Sequence, residues 1–513
     1  MLENRSFDQM LGFLYSSTGN VATNNQPFEG LTGNESNPDD TGREMKVFKI
    51  DENAPHPYLM PGADPGEGFH NTNYQLFRTD TPAEGEIPTN QGFVINFKAA
   101  IASDQSKGFK DTLPGTDPAE IMGMYSPSVL PVMSGLAKGF AVCDHWFASA
   151  PTQTIPNRAF SAAATSQGHL DNKVKVFTCP SIFGSLSKAN IDWAIYGYTR
   201  DPMTRLDYSD TQSANESHFG HFRDFTARAA AGTLPAYTFL EPDFGASGNS
   251  QHPNYDVSLG EKLIYDVYNA VRSGPGWNDT LLLITYDEHG GNYDHVPPPW
   301  GAAPPDDSVG EWGFDFTRFG VRIPALLISP RIAAGTVFRA KQGTIDHTSV
   351  LKTIELLWNL DPLTKRDKAA PDLGDVLTLA TPRTDDPLWS TSRYRCQPPL
   401  TPIRRSHPCL RRFMSQKWRP CRCATTRAAT TSTCRPICPP APRSASISKL
   451  ALPRGRSISS GSVSDVQSTP RQSRRHQASR PGREWRSSGA GKRPGASGER
   501  TLRLITAARA TRG

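Results

Sequence analysis

The chain has no long hydrophobic run. No window of its 513 residues approaches the roughly 18 uninterrupted apolar residues of a membrane-spanning helix, which excludes such a helix among them. A hydrophobic content of 36 % and a mean hydropathy of −0.51 agree. Also missing are a G-x-S-x-G elbow, an H-E-x-x-H helix, a Walker loop and a dinucleotide fingerprint. Elbow-type serine hydrolases, zincins, P-loop enzymes and dinucleotide-dependent dehydrogenases are thereby set aside. Cysteine is scarce where hydrophobic patterning is present: only Cys143 and Cys179 precede Ser390, and they read equally as a disulfide or as two free thiols. Neither a charged n-region nor an apolar h-region precedes Glu3, so no signal peptide is expected within the chain as given.

What is present divides in two. Of the 56 Lys and Arg, 27 lie beyond Ser390, against 3 of the 50 Asp and Glu, giving residues 391–513 a formal charge of +24 and residues 1–390 one of −18. From Thr391 the hydrophobic periodicity stops, and Arg, Ser, Pro, Thr, Ala and Gly follow in no repeating order. A segment of this composition cannot bury enough apolar surface to offset its chain entropy, so 391–513 reads as a disordered basic tail or as an out-of-frame translation. Its cysteines lack paired C-x2-C spacing, and only Tyr394, Phe413, Trp418 and Trp485 are scattered among its 27 basic residues, so neither a zinc site nor a specific nucleic-acid partner is expected.

Residues 1–390 read as one α/β domain. GFAVCDHWF (139–147), WAIYG (193–197), AYTFLEP (236–242), LLLITYDE (281–288) and IPALLISP (323–330) are expected strands. Leu259, Leu263, Ile264, Val267, Tyr268 and Val271 recur at helical spacing, as do Val350, Leu351, Ile354, Leu357 and Trp358. Near-continuous apolar strands predict a mostly parallel sheet covered by helices on both faces, with ligands outside the carboxyl ends of the strands. With 42 Gly and 44 Pro the domain is expected to be rich in loops, and the segments 16–42 and 295–311 read as rim loops or lids. If Glu3 sits at a strand's carboxyl end, most of that strand is absent.

Three constellations carry chemistry. Asp287-Glu288-His289-Gly290-Gly291-Asn292-Tyr293-Asp294-His295 follows a buried strand directly; its carboxylates suit a hard divalent cation, and its imidazoles suit phosphate binding or proton transfer. The bland alternative is a polar turn. Thr152-Gln153-Thr154-Ile155-Pro156-Asn157-Arg158 offers a hydroxyl, an amide and a guanidinium fork for phosphate, while reading equally as a helix N-terminus. Glu3-Asn4 pairs a carboxylate with an amide and says little alone. Scattered histidines (His70, His218, His221, His252 and His347) could together supply cationic contacts to a phosphate in an otherwise acidic body. What remains is metal-assisted phosphoester chemistry.

Taken together, MLENRSFDQMLGFL, CDHWFASAPTQTIPNRAF, QHPNYDV, ITYDEHGGNYDHVPPP, FTRFGVRIPALLISP and DHTSVLKTIELLW resemble the bacterial and plant phosphoesterases that include the non-specific phospholipases C and acid phosphatase A. The resemblance implies an alkaline-phosphatase-like α/β sandwich. It implies one divalent metal ion held by Glu3, Asn4, Thr154, Asp287 and Glu288, with Thr154 as nucleophile and a phosphothreonine intermediate. Asn157, His252 and His289 are the other expected catalytic residues. His70, His218, His221, Arg158, Asp294 and His295 are the expected substrate contacts. The implied substrate is a phospholipid such as phosphatidylcholine, cleaved to diacylglycerol and a phosphorylated headgroup with peripheral contact to a membrane surface. Acid phosphatase activity on monoesters and an inactive, truncated remnant are the alternatives. An extracytoplasmic location is likewise implied. The chain departs from the family in lacking the apolar strand before MLENRSFD and in carrying Gln9 and Asn292 where the family often has His and an aromatic residue.

Overall fold

The computed structural model describes residues 1–15, 26–107, 112–174, 176–245, 247–253, 255–307, 309–388 and the strand 503–505. Most of the expected basic tail and part of the expected rim loop 16–42 therefore lie outside the described residues.

Two small ribbons precede the main sheet. β1 (Ser36–Pro38) pairs antiparallel with β2 (Glu44–Lys46), and β3 (Phe48–Ile50) pairs parallel with β4 (Gly123–Tyr125). The main sheet contains β5 (Ala141–Val142), β6 (Trp193–Gly197), β7 (Phe219–His221), β8 (Tyr237–Leu240), β9 (Thr280–Thr285), β10 (Ala325–Ile328), β11 (Thr336–Val337) and β12 (Arg503–Ile505). Its order is β11-β5-β10-β9-β12-β8-β6-β7, parallel except for β10, which runs against both β9 and β5. All five apolar runs expected as strands contribute to this sheet. β6 and β10 are buried along their whole length, as a sheet covered on both faces requires.

Helices group on this sheet as the apolar spacing predicts. Val257–Ser273 packs with Pro131–Gly139 and Phe222–Ala231, and Thr154–Ala163 packs with Thr348–Trp358 and Ile182–Lys188. Leu263, Ile264, Val267, Tyr268 and Val271 enter the core, whereas Leu259, one turn earlier on the expected apolar face, stays exposed. Cys143 is buried, Cys179 half-buried, and both are free thiols.

The amino-terminal residues join the sheet at the carboxyl end of β9. Leu2 bridges Tyr286 in parallel, with Leu2 N donating to Thr285 O at 2.8 Å and Asp287 N donating to Leu2 O at 3.2 Å. Glu3 thus sits at a strand's carboxyl end, as expected. The ladder position between β9 and β8 is taken by β12, parallel to both, where the tail's composition predicts no strand. An apolar cavity lined by Met1, Leu2, Phe239, Leu240, Leu283 and Ile284 lies in the same part of the sheet.

A buried charge cluster fixes the start of the first helix, Phe7–Leu11, against the loop after β9. Arg322 donates from Nη2 to Asp8 at 2.9 Å, from Nε to Asp294 at 2.9 Å and from Nη1 to Asp144 O at 2.9 Å. His295 Nδ1 lies 2.6 Å from the second Asp8 oxygen. Asp294 and His295, expected to contact substrate, are engaged here by Arg322 and Asp8, with the His295 side chain still partly exposed. A guanidinium also occupies the centre of what would otherwise be an acidic metal-binding group.

Removing one partner from a buried ion cluster leaves the others without compensation. Arg322→Leu should therefore destabilise the protein by about 3–5 kcal/mol in urea titrations, and a loss below about 1 kcal/mol would contradict this role. Burial opposes charge on His295, but its hydrogen bond to Asp8 and the carboxylate charges outweigh that and raise its pKa. A raised histidine pKa stabilises the fold below the unfolded-state value and loses that contribution as pH rises through the folded value. The destabilisation caused by His295→Gln should accordingly be largest in mildly acidic buffer and fade above neutrality; a pH-independent difference would refute it.

Candidate active site

Asn4 is the geometric centre of the site. Its backbone is in the left-handed region (φ 57°), which an asparagine tolerates better than most residues. The conformation is held from both sides: Asn4 N donates to Asp287 Oδ1 at 2.9 Å, and Arg5 N donates to Glu288 O at 3.0 Å. Glu3 N donates to Ser250 O at 3.0 Å, tying the same segment to the loop that carries His252.

The two glycines of the DEHGG segment make this closure possible. Gly290 (φ 61°) passes so near Asn4 that a Cβ there would lie 2.2 Å from the Asn4 carbonyl oxygen. Gly291 (φ 68°) would place a Cβ 2.5 Å from Gly66 O, against the loop that carries Glu67.

Thr154 opens the helix Thr154–Ala163, where backbone N–H groups favour an anion. Its hydroxyl donates to Asn4 Oδ1 at 3.2 Å and is almost completely buried. Asp287 receives Glu288 N at 2.8 Å through Oδ1 and Arg158 Nε at 3.0 Å through Oδ2. Glu288 accepts Gly290 N at 2.6 Å through Oε2, while its Oε1 is fully buried without a partner. Burial first, and then neighbouring carboxylates, raise the pKa values of Glu3 and Glu288. Of the expected ligands, Asn4, Thr154 and Asp287 therefore meet directly, and Glu3 and Glu288 each lie near enough to feel the charge of Asp287, whereas the carboxylate and imidazole group drawn within 4.8 Å beside them is Asp64, Glu67 and His252.

This donor set fits a hard divalent cation. It offers three crowded carboxylates, an amide oxygen and a hydroxyl, with one carboxylate oxygen unsatisfied in the interior.

Several expected contacts are not brought here. Arg158 donates from Nε to Asp287 and from Nη2 to Leu2 O (3.1 Å), leaving Nη1 buried without a partner. Asn157 Nδ2 donates to Ala150 O, Thr152 O and Gln153 O, and its Oδ1 accepts Ala150 N at 3.0 Å. Its amide thus clamps the loop before Thr154 and is not free for a phosphate oxygen. His289 lies between Gln75 and Glu288, with Nε2 2.8 Å from Gln75 Oε1 and Nδ1 3.3 Å from Glu288 Oε2, and burial pushes its pKa down to about 3. A neutral, enclosed imidazole there is no proton donor to a leaving group. His347 donates from Nε2 to Asp287 O at 2.7 Å and supports the backbone.

The other histidines do not form a cationic collar. His218 stacks on Trp193 (4.0 Å between centroids) at the amino end of β6, the opposite end of the sheet. His221 ends the edge strand β7, four ladder positions from β9, or ~19 Å away at ordinary strand spacing. His70 is exposed and packs on Trp312 at 4.8 Å. His252 does reach the site: its Nε2 faces Asn4 Nδ2 at 3.3 Å, and its pKa is raised because Asp64, Glu3 and Glu67 outweigh burial.

Two site residues escape sequence reasoning. Glu67 accepts Asn4 Nδ2 and, at 3.3 Å, Gln153 Nε2; burial and Asp64 push its pKa up to about 8. Ligand atoms of Asp64, Glu67 and His252 lie within 4.8 Å of one another. Glu67 sits in a Pro/Gly segment with no periodicity, so no local signal marks it. Arg5 donates from Nε to Gln251 O at 2.6 Å, from Nη1 to Met60 O at 2.8 Å and from Nη2 to His252 O at 3.2 Å, joining the two loops that deliver Glu67 and His252. Its place beside Asn4 in the ENR tripeptide is the one signal available.

The position of Arg158 is testable. Arg158→Met should weaken Mn2+ binding, read by calorimetry, about 10–100-fold, as loss of an outer contact to a metal ligand does, while leaving KM for a soluble phosphodiester little changed. A raised KM with unaltered Mn2+ affinity would return Arg158 to the substrate.

Comparison with known proteins gives the family. The Phosphoesterase family matches residues 1–361. Non-specific phospholipase C6 of Arabidopsis thaliana is 37 % identical over 429 residues, covering 80 % of this chain and 75 % of that one. Non-specific phospholipase C3 of the same plant is 35 % identical over 418 residues, covering 75 % and 74 %. Phospholipase C B of Mycobacterium tuberculosis is 29 % identical over 307 residues, covering 51 % and 57 %. Among solved structures, phosphonate monoester hydrolase of Agrobacterium radiobacter overlaps 48 % of this chain and 72 % of its own at 12 % identity and a TM-score of 0.28, too low to define a shared fold. The chain belongs to the phosphoesterase family and is a phosphoric ester hydrolase.

Proposed function

We propose that the protein is a metal-dependent phospholipase C that cleaves phospholipids, phosphatidylcholine among them, to diacylglycerol and a phosphorylated headgroup. Residues 1–390 would form its catalytic domain, and an extracytoplasmic membrane surface would be its place of work. One observation carries the reading: the Thr154 hydroxyl, at a helix N-terminus, points at Asn4 within the Glu3, Asp287 and Glu288 set. The names of the relatives from Arabidopsis thaliana and Mycobacterium tuberculosis support the substrate class.

Glu3, Asn4, Asp287 and Glu288, with Thr154, would hold one divalent ion, which when bound supplies Lewis-acid polarisation of phosphate and hydroxyl oxygens. Thr154 Oγ1 attacks phosphorus, forming a P–O bond as the bond to the diacylglycerol oxygen breaks. Thr154 passes its proton into the carboxylate-rich site, and His252 protonates the departing alkoxide. Backbone N–H groups at the start of Thr154–Ala163 stabilise the equatorial oxygens. Water then attacks phosphothreonine from the opposite side, releasing the phosphorylated headgroup and restoring Thr154. Arg158 and His347 keep Asp287 in place throughout, and Asn157 fixes the loop that aims Thr154.

Thr154→Ala should fold normally and lower kcat on p-nitrophenylphosphorylcholine by roughly 10^3-fold or more, with Thr154→Ser retaining part of the activity. Chelation should abolish turnover of the wild type. Near-normal turnover by Thr154→Ala would remove Thr154 as nucleophile, and preference for p-nitrophenyl phosphate over the choline diester would favour a phosphatase.

A further inference from the structure

Val309 and Trp312 are among the most exposed large apolar residues of the described chain, at 69 % and 53 % relative accessibility. They lie three residues apart on one loop, which is not floppy. Gly310 N donates to Phe314 O at 2.8 Å, Gly313 N to Gly310 O at 3.2 Å and Glu311 N to Gly168 O at 2.9 Å. Trp312 itself has a left-handed backbone (φ 53°), a costly conformation for a bulky residue. Its indole stacks on Phe69 (5.6 Å, 15°), beneath which Phe160, Phe314 and Phe316 form a buried aromatic pedestal. The loop therefore holds a large amphipathic ring up into solvent on a rigid base.

The same loop borders the active site. Leu170 N donates to Glu311 Oε2 at 2.8 Å, and Leu170 O accepts the Thr152 hydroxyl at 2.6 Å, two residues before Thr154. Phe69, under the indole, is two residues after Glu67. Charge around the loop is acidic on balance: of Asp306, Asp307, Glu311 and Asp315, which lie on it or beside it, Asp307 pairs with Lys365 and Glu311 faces His169 at 3.3 Å, within a domain of formal charge −18. Such a surface is repelled by anionic lipid and not by a zwitterionic one.

We propose that Val309 and Trp312 form a lip that inserts shallowly into a zwitterionic phospholipid surface and sets the mouth of the site against it. This rests on the phospholipase reading above. A tryptophan beside an aliphatic residue suits the headgroup boundary, where the ring buries its apolar body and keeps its N–H wet. A phosphodiester in a bilayer lies at that depth, so a lip at the mouth presents substrate without extraction of the whole lipid.

The test compares wild type, Trp312→Ala, Val309→Asp and Trp312→Phe on soluble p-nitrophenylphosphorylcholine and on phosphatidylcholine vesicles, with sedimentation on vesicles of phosphatidylcholine or phosphatidylglycerol. Expected are unchanged turnover of the soluble diester in all four and about tenfold lower turnover and binding on phosphatidylcholine vesicles for Trp312→Ala and Val309→Asp, with Trp312→Phe intermediate. Wild type should sediment less with phosphatidylglycerol. Equal losses on both substrates, or no loss on vesicles, would overturn the lip, as would a dimer that Trp312→Ala dissociates. Wild type that binds phosphatidylcholine through Trp312 yet hydrolyses neither substrate would refute the phospholipase reading and leave the lip standing.

Discussion

The site depends on how residues 2–5 are stitched to the carboxyl end of β9. Leu2 pairs with Tyr286, Asn4 N donates to the Asp287 carboxylate and Arg5 N to Glu288 O, while Glu3 N donates to Ser250 O on the neighbouring loop. The left-handed turn at Asn4 is tolerable because Gly290 leaves room for its carbonyl. A side chain at Gly290, or a slip of one residue in this pairing, would turn Glu3 or Asn4 out of the site.

Burying several carboxylates at one point carries a cost that the surroundings share. Arg158 neutralises Asp287, backbone amides hold Asp287 and Glu288, and His252 faces the Glu67 side, yet carboxylates remain in excess and one oxygen of Glu288 has no partner. A divalent cation relieves that excess directly. The second buried cluster, around Arg322, shows the contrasting solution: two aspartates and a histidine meet, and a guanidinium satisfies them. One acidic group is satisfied by a guanidinium, and the other keeps a buried carboxylate oxygen without a partner.

The legible parts of this protein are those written locally. Continuous apolar runs place the five strands, and Asp287-Glu288 directly after LLLITY places the carboxylate corner proposed to hold metal, because strand ends put polar side chains at the rim. Thr154 at a helix start is legible for the same reason. The histidines are not, since a histidine's role depends on where distant backbone carries it. His289 lies in the densest polar segment yet is enclosed between Glu288 and Gln75, and Gln75 lies 214 positions away in sequence. Glu67, in a Pro/Gly loop, becomes important only through contact with Asn4, 63 positions away. Asn157 and Arg158 belong to a motif that does sit at the site, where Asn157 clamps the loop and Arg158 holds Asp287 with its Nη1 left unpartnered.

The central claim is that the residues around Asn4 constitute a cation site, and equilibrium binding of Mn2+ to the full chain tests it most directly. The account predicts one tightly bound ion per chain in the wild type and an affinity lowered at least about 100-fold in Glu288→Gln, which keeps the side chain's shape but removes its charge. Wild type that binds no divalent ion, or a Glu288→Gln variant that binds as tightly as wild type, would contradict it.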